Sequence, residues 1–133
     1  MSNYSDKDIQ ILEHIIKYCY RIEKTLNRFG KEFDAFLADN DFRDSVSMNL
    51  LQIGELAGKL TDDYSRATMS DMNWRAIKSM RNMFAHDYGS MDIDTIWKTA
   101  TEDIPVLYEF CDSEVTRLED LDIDEGEDFI PSM

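Results

Sequence analysis

Apolar residues along this chain recur mostly at intervals of three and four, the spacing that gathers them on one face of an α-helix. Ile9, Leu12, Ile16, Cys19, Ile22, Leu26 and Phe29 make the first such stripe. Ser5 is placed to cap that helix, with Asp8 three residues on in the manner of a capping box, and Gly30 to end it. A short turn over 32–37 leads to a second helix starting at Asn40 or Asp41, with Val46, Leu50, Ile53, Ala57 and Leu60 as its buried face. Gly54 and Gly58 also lie on it. Glycine weakens a helix, so the pair predicts a place where another helix comes close. The segment "TDDYSRATMSDMN" reads as loop with one helical turn, and a third helix starts near Trp74 and stops by Gly89. A fourth starts at Asp92 or Asp94 and carries Trp97, Ala100, Ile104, Leu107, Cys111 and Leu118. Pro105 should bend it, because proline lacks the donor and crowds the preceding turn. No segment shows the alternation of a half-buried strand. The pattern predicts an all-α protein, an up-and-down four-helix bundle with an extra short helix.

The length of 133 residues suits a single domain with a core of its own. A net charge of −14 argues against casual nucleic-acid binding, because an acidic surface repels phosphates. The charge is uneven, however. No Lys or Arg follows Arg117, and "EDLDIDEGED" (119–128) holds seven acids, half of the net charge. Residues 1–118 are therefore read as the folded bundle and 119–133 as an acidic, disordered tail. Leu121, Ile123, Phe129 and Ile130 would alternatively let that tail dock on a partner or on the bundle. Cys19 and Cys111 fall on apolar stripes and read as buried reduced thiols. No apolar run approaches the roughly 20 residues of a membrane span, and "MSNYSDKDIQ" lacks the features of a signal peptide, so a cytoplasmic protein without membrane contact is expected. Metal-type Cys/His spacing, a Gly-rich phosphate loop and a G-x-S-x-G turn are all missing, so no metal or cofactor is expected.

The third helix carries the candidate chemistry, in "RNMFAHDYGS" (81–90). At about 100° per residue, Trp74, Ile77, Phe84 and Tyr88 fall within about 60° of Arg81. An arginine on an apolar stripe is costly unless its guanidinium meets a carboxylate, a phosphate or water; Glu55 is a candidate partner. Lys78, Asn82, Arg75 and His86 follow in order of increasing angle and form a basic edge. That edge is either a plain solvated face or a track for a phosphate backbone, with Trp74 and Tyr88 to stack bases. His86 stands about 140° from Arg81, so the two do not converge within one chain. A two-fold dimer packing this helix against its mate would bring Arg81 and His86 of both chains into one cleft. There one imidazole could take a proton and another give one, the 2′-hydroxyl of RNA could attack, and arginine could neutralise the charged transition state. The other histidine, His14, borders the first stripe and reads as packed or half-exposed.

"MRNMFAHDY" matches the Arg-x4-His-x-Tyr motif of HEPN-domain proteins, and the wider chain resembles the HepT-like branch of that family. "NLLQIGELAGKL" (49–60), "NWRAIKSMRN" (73–82) and "IWKTATEDIPVL" (96–107) agree with it in order and separation, and the likeness runs from about Asp6 to Val115. The resemblance implies a helical bundle dimerising around the motif helix. It also implies a metal-independent RNA endonuclease, the toxin of a type II/VII-like toxin–antitoxin pair. The usual partner is a minimal nucleotidyltransferase antitoxin that attaches AMP to the motif tyrosine. Carried over by position, Arg81 and His86 would be catalytic, Asn82 would assist and Tyr88 would be modified. Arg75, Lys78 and Trp74 are the candidates for holding RNA. Some HEPN relatives bind nucleotides or partners without cutting RNA, so a non-catalytic binding module is the alternative.

Overall fold

A computed structural model of the chain describes the backbone of residues 5–129 and the side chains of residues 6–121. Among these residues the structure is all α, without a strand. In order come α1 (Ser5–Arg28), α2 (Phe33–Ala38), α3 (Asn40–Ala57), α4 (Asp62–Thr68), α5 (Trp74–His86), α6 (Ile93–Lys98) and α7 (Ile104–Phe129). No helix among the described residues is long and apolar enough to cross a membrane.

Each long helix starts and stops for a local reason. α1 ends as the Lys31 amide donates to the Leu26 carbonyl (2.8 Å) and Gly30 to Asn27 (3.0 Å), with Gly30 at φ 76°, a conformation that glycine adopts without a steric penalty. Asp39, one residue ahead of the expected start, caps α3 by accepting from the Phe42 amide at 3.1 Å. Asn73 caps α5 through the Ala76 amide at 3.1 Å. Asp8 corrects the sequence reading. Its carboxylate is fully buried and accepts from the Thr61 amide (2.9 Å) and hydroxyl (2.7 Å), so it ties α1 to the cap of α4 and is not spent on its own helix end. His14 is exposed on α1, less packed than expected.

These ties also give the helix directions. Asp8 joins the start of α1 to the end of α3, and Phe29, just past the end of α1, stacks on Phe42 near the start of α3 (centroids 4.2 Å apart). The two helices are therefore antiparallel. α3 lies between α1 and α5, and α7 packs on α1. The stripes foreseen on α1 and α3 supply much of the core, with Leu12, Ile22, Val46, Leu50 and Ile53 fully buried; on α1 Ile15 is also fully buried, and the expected Ile16 is half-buried. Cys19 and Cys111 are buried and free, and burial pushes the Cys19 thiol up to about 12 and raises that of Cys111 as well, which keeps both protonated at neutral pH. Gly54 is the close approach that was expected: a Cβ there would stand 2.6 Å from the Arg81 amide nitrogen and 3.0 Å from the Ile77 carbonyl oxygen. Gly58 is not. It caps α3, and a Cβ there would touch only its own helix.

The predicted fourth helix is α6 and α7 joined by a π-helical turn, Thr99–Asp103, directly ahead of Pro105. The wider turn lets the Ile104 amide reach the Thr99 carbonyl and takes up the missing donor of Pro105. Trp97 sits half-buried among Phe33, Phe36 and Phe42. α7 continues through the whole acidic run, 119–128, to Phe129, with Leu121 exposed. The side chains of Ile123, Phe129 and Ile130, which the docking alternative for the tail used, lie outside the described residues. α5 and α7 touch where Trp74 meets Phe110 edge-on, and a groove of about 500 Å³ lies between them, edged by Met83 and Val106.

Candidate active site

α5 is held against the bundle along one side only, and that side differs by one residue from the helical-wheel reading. Trp74, Met80 and Phe84 are buried, Ile77 is half-buried and Arg81 is exposed. Gly54 explains the shift. It lets the α3 backbone come so near to α5 at Arg81 that a long side chain there can only leave sideways. The guanidinium runs out to the surface, where Nε donates to Glu55 Oε2 at 3.1 Å and Nη1 to Asn82 Oδ1 at 3.1 Å. Glu55 was the acid expected to meet Arg81, but the pair is surface-exposed, not buried. Side-chain exposures of 47% and 44% make it a solvated ion pair of the kind worth about 0–1 kcal/mol. Two of the five guanidinium N–H groups are engaged, which leaves three for an incoming anion.

His86 is the last residue of α5 and is exposed, with no hydrogen bond or ion pair among the described residues. No hydrogen bond joins it to Arg81, whose bonds go to Glu55 and Asn82. Tyr88 follows in a 3₁₀ turn (Tyr88–Ser90), half-buried against Phe84 with ring centroids 6.2 Å apart. Its hydroxyl donates to Asp44 Oδ1 on α3 at 2.6 Å. Burial first, and then the Asp44 carboxylate, raises the phenol above its ordinary value, so it stays protonated at neutral pH. Asp44 had no signal in the sequence beyond being one acid among 28. Together the Arg81–Glu55 and Tyr88–Asp44 pairs show that α5 runs antiparallel to α3. They also put Tyr88 seven residues, or about 10 Å, beyond Arg81 along α5.

Along the other flank Arg75 and Lys78 are exposed and free of ion pairs among the described residues. Trp74 is a correction. It is withdrawn into the core, its Nε1 donating to Thr68 Oγ1 at 2.8 Å and its ring lying against Tyr64 and Phe110, so its face is not open to a base. Among the described residues no group of three His, Cys, Asp or Glu side chains is arranged to hold a metal ion.

A family model described as Ribonuclease HepT-like matches residues 11–114, which include all of α5 and Tyr88. The chain belongs to the HepT-like ribonuclease family. A protein of Thermococcus cleftensis named as a probable ribonuclease HepT is 35% identical over 84 residues, 62% of this chain and 76% of that one. A protein of Caldanaerobacter subterraneus subsp. tengcongensis, provisionally named an RNase, is 31% identical over 97 residues, 72% of this chain and 83% of that one. No solved structure matches the chain. The all-α bundle is that of the HEPN type, and family membership supports a ribonuclease function for this HepT-like chain.

Proposed function

We propose that this HepT-like chain is a metal-independent RNA endonuclease whose site is built on the exposed edge of α5. The observation that carries this reading is an arginine and a histidine, Arg81 and His86, both open to solvent on one helix, with most of the guanidinium and all of the imidazole uncommitted. In the reaction the 2′-hydroxyl of RNA attacks the neighbouring phosphorus and the 5′-oxygen leaves. One His86 accepts the hydroxyl proton, a second protonates the leaving oxygen, and Arg81 binds the non-bridging oxygens as charge builds on them. Asn82 holds Arg81 in place from the adjacent position. The step needs two imidazoles and the chain offers one here, so the site is completed by a second copy in a two-fold dimer. The apolar edges Met83 and Val106 beside α5 give that copy surface to bury.

The reading continues to control. A toxin–antitoxin partner with minimal nucleotidyltransferase activity would place AMP on Tyr88. Asp44 stands where the phenolic proton can go as the oxygen attacks the α-phosphorus of ATP and pyrophosphate departs. Each added unit brings about one negative charge to within reach of Arg81 and so occupies the place of substrate phosphate.

Purified protein should cleave RNA in EDTA and leave 2′,3′-cyclic phosphate ends, and should sediment at about twice 15.6 kDa. Other ends, or dependence on a divalent ion, would remove this mechanism. Absence of any cleavage would leave the non-catalytic binding module as the reading of this fold.

A further inference from the structure

A second groove, of about 430 Å³, lies between α4 and α5. Arg66 of α4 meets Arg75 and Lys78 of α5 there, over an apolar floor that includes Met69 and Met72. No acid lines it, in a chain where 28 acids stand against 14 bases. All three cations are exposed, and none makes a hydrogen bond or ion pair among the described residues, whereas Arg81 and Arg117 each rest on a glutamate. Three like charges gathered without a counter-charge repel one another, and an anion between them turns that cost into attraction.

We propose that this groove is a single-stranded RNA subsite, holding the phosphates of the strand on one side of the bond that α5 cuts; its place in catalysis rests on the ribonuclease reading above. Arg75, Lys78 and Arg81 recur at intervals of three residues, so positive charge steps along α5 from the groove to the candidate centre. The distance from Arg75 to Arg81 is about 9 Å along the axis, the length of two or three nucleotides stacked at roughly 3.4 Å each. Arg66 and Arg75 come from different helices and can grip a phosphate from two sides. Methionine accepts the flat face of any base, so the floor favours an unpaired strand without selecting its sequence. A duplex keeps its bases stacked inside and cannot reach that floor.

The test uses the full chain and a short fluorescent 2′-O-methyl oligonucleotide, which cannot be cut through its own 2′-oxygen. Fluorescence anisotropy over a range of salt gives the slope of log affinity against log salt. That slope should fall by about 0.7 for each cation removed, hence by about 2 in the Arg66→Gln, Arg75→Gln, Lys78→Gln triple variant. Arg66→Lys should keep the wild-type slope. A triple variant with the wild-type slope, or a wild-type protein that prefers duplex competitor, overturns the proposal. Cleavage is scored separately. A slope that depends on these cations in a protein that cuts no RNA sinks the ribonuclease reading and keeps the groove; intact cleavage with an unaltered slope does the reverse.

Discussion

Replacing Gly54 with alanine adds one methyl group at the closest approach of α3 and α5. The new carbon would stand 2.6 Å from the Arg81 nitrogen, 3.0 Å from the Ile77 oxygen and 3.2 Å from Met80 Cβ. Unstrained contacts lie at roughly 3.5–4.0 Å, so the helices must part by close to 1 Å. Two of the three neighbours are backbone atoms and cannot swing aside. Overpacking of this kind costs about 1–3 kcal/mol, and the upper part of that range applies here. Alanine returns about 1 kcal/mol of helix propensity, which leaves a net loss of about 1–2 kcal/mol. The same exchange at Gly58 makes its nearest contact at 3.4 Å, within its own helix, and should be neutral or stabilising. Urea unfolding of both variants makes the comparison. Gly54→Ala should lower the midpoint, while Gly58→Ala should hold or raise it. Should Gly54→Ala prove as stable as Gly58→Ala, the close packing of α3 on α5 is wrong, and with it the explanation of why Arg81 leaves the core.

Thr61→Val keeps the shape of the side chain but removes one of the two donors to the buried Asp8 and the cap of α4. It should cost about 2–3 kcal/mol in urea unfolding, and a loss below about 0.5 kcal/mol would show that the contact does not hold α1 to α4. Glu114 is held below the usual carboxylate range chiefly by Arg117, at 2.8 and 2.9 Å, with help from the Tyr64 hydroxyl at 2.6 Å and against the opposing effect of burial. A depressed folded-state value means that its stabilisation is present above the unfolded value, about 4.3, and is lost as pH falls through the folded one. Wild type should therefore exceed Glu114→Gln in stability at neutral pH, with the gap closing below about pH 4; a gap independent of pH contradicts the assignment.

The two long helices α1 and α3 were legible because each spreads an apolar stripe over many turns, and burial follows such a stripe wherever the helix packs. Asp8 was not, because what it satisfies is the start of another helix, 53 positions away. α5 was legible as an element but not in its rotation. Met80 and Arg81 are adjacent in sequence but about 100° apart around the helix, and the close approach at Gly54 decides which of them is buried. Asp44 and Arg66 reach the candidate sites from α3 and α4, and nothing local separates them from other surface charges. Trp74 was misread because an aromatic ring beside Arg75 looks the same in sequence whether it faces solvent or the core. Of the motif itself, exposure of Arg81 and His86 is plain in the structure. Their proposed use in catalysis rests on an assembly of two chains, and nothing local in the sequence encodes how such copies would meet.

The measurement that tests the ribonuclease reading most directly is the rate of RNA cleavage in EDTA by His86→Ala against wild type. His86 is exposed and makes no hydrogen bond or ion pair among the described residues, so the variant should unfold at the wild-type urea midpoint. Loss of a general acid and base should lower kcat by about 10²–10⁴. A folded His86→Ala that cuts RNA at the wild-type rate would contradict the account and move the chemistry off α5.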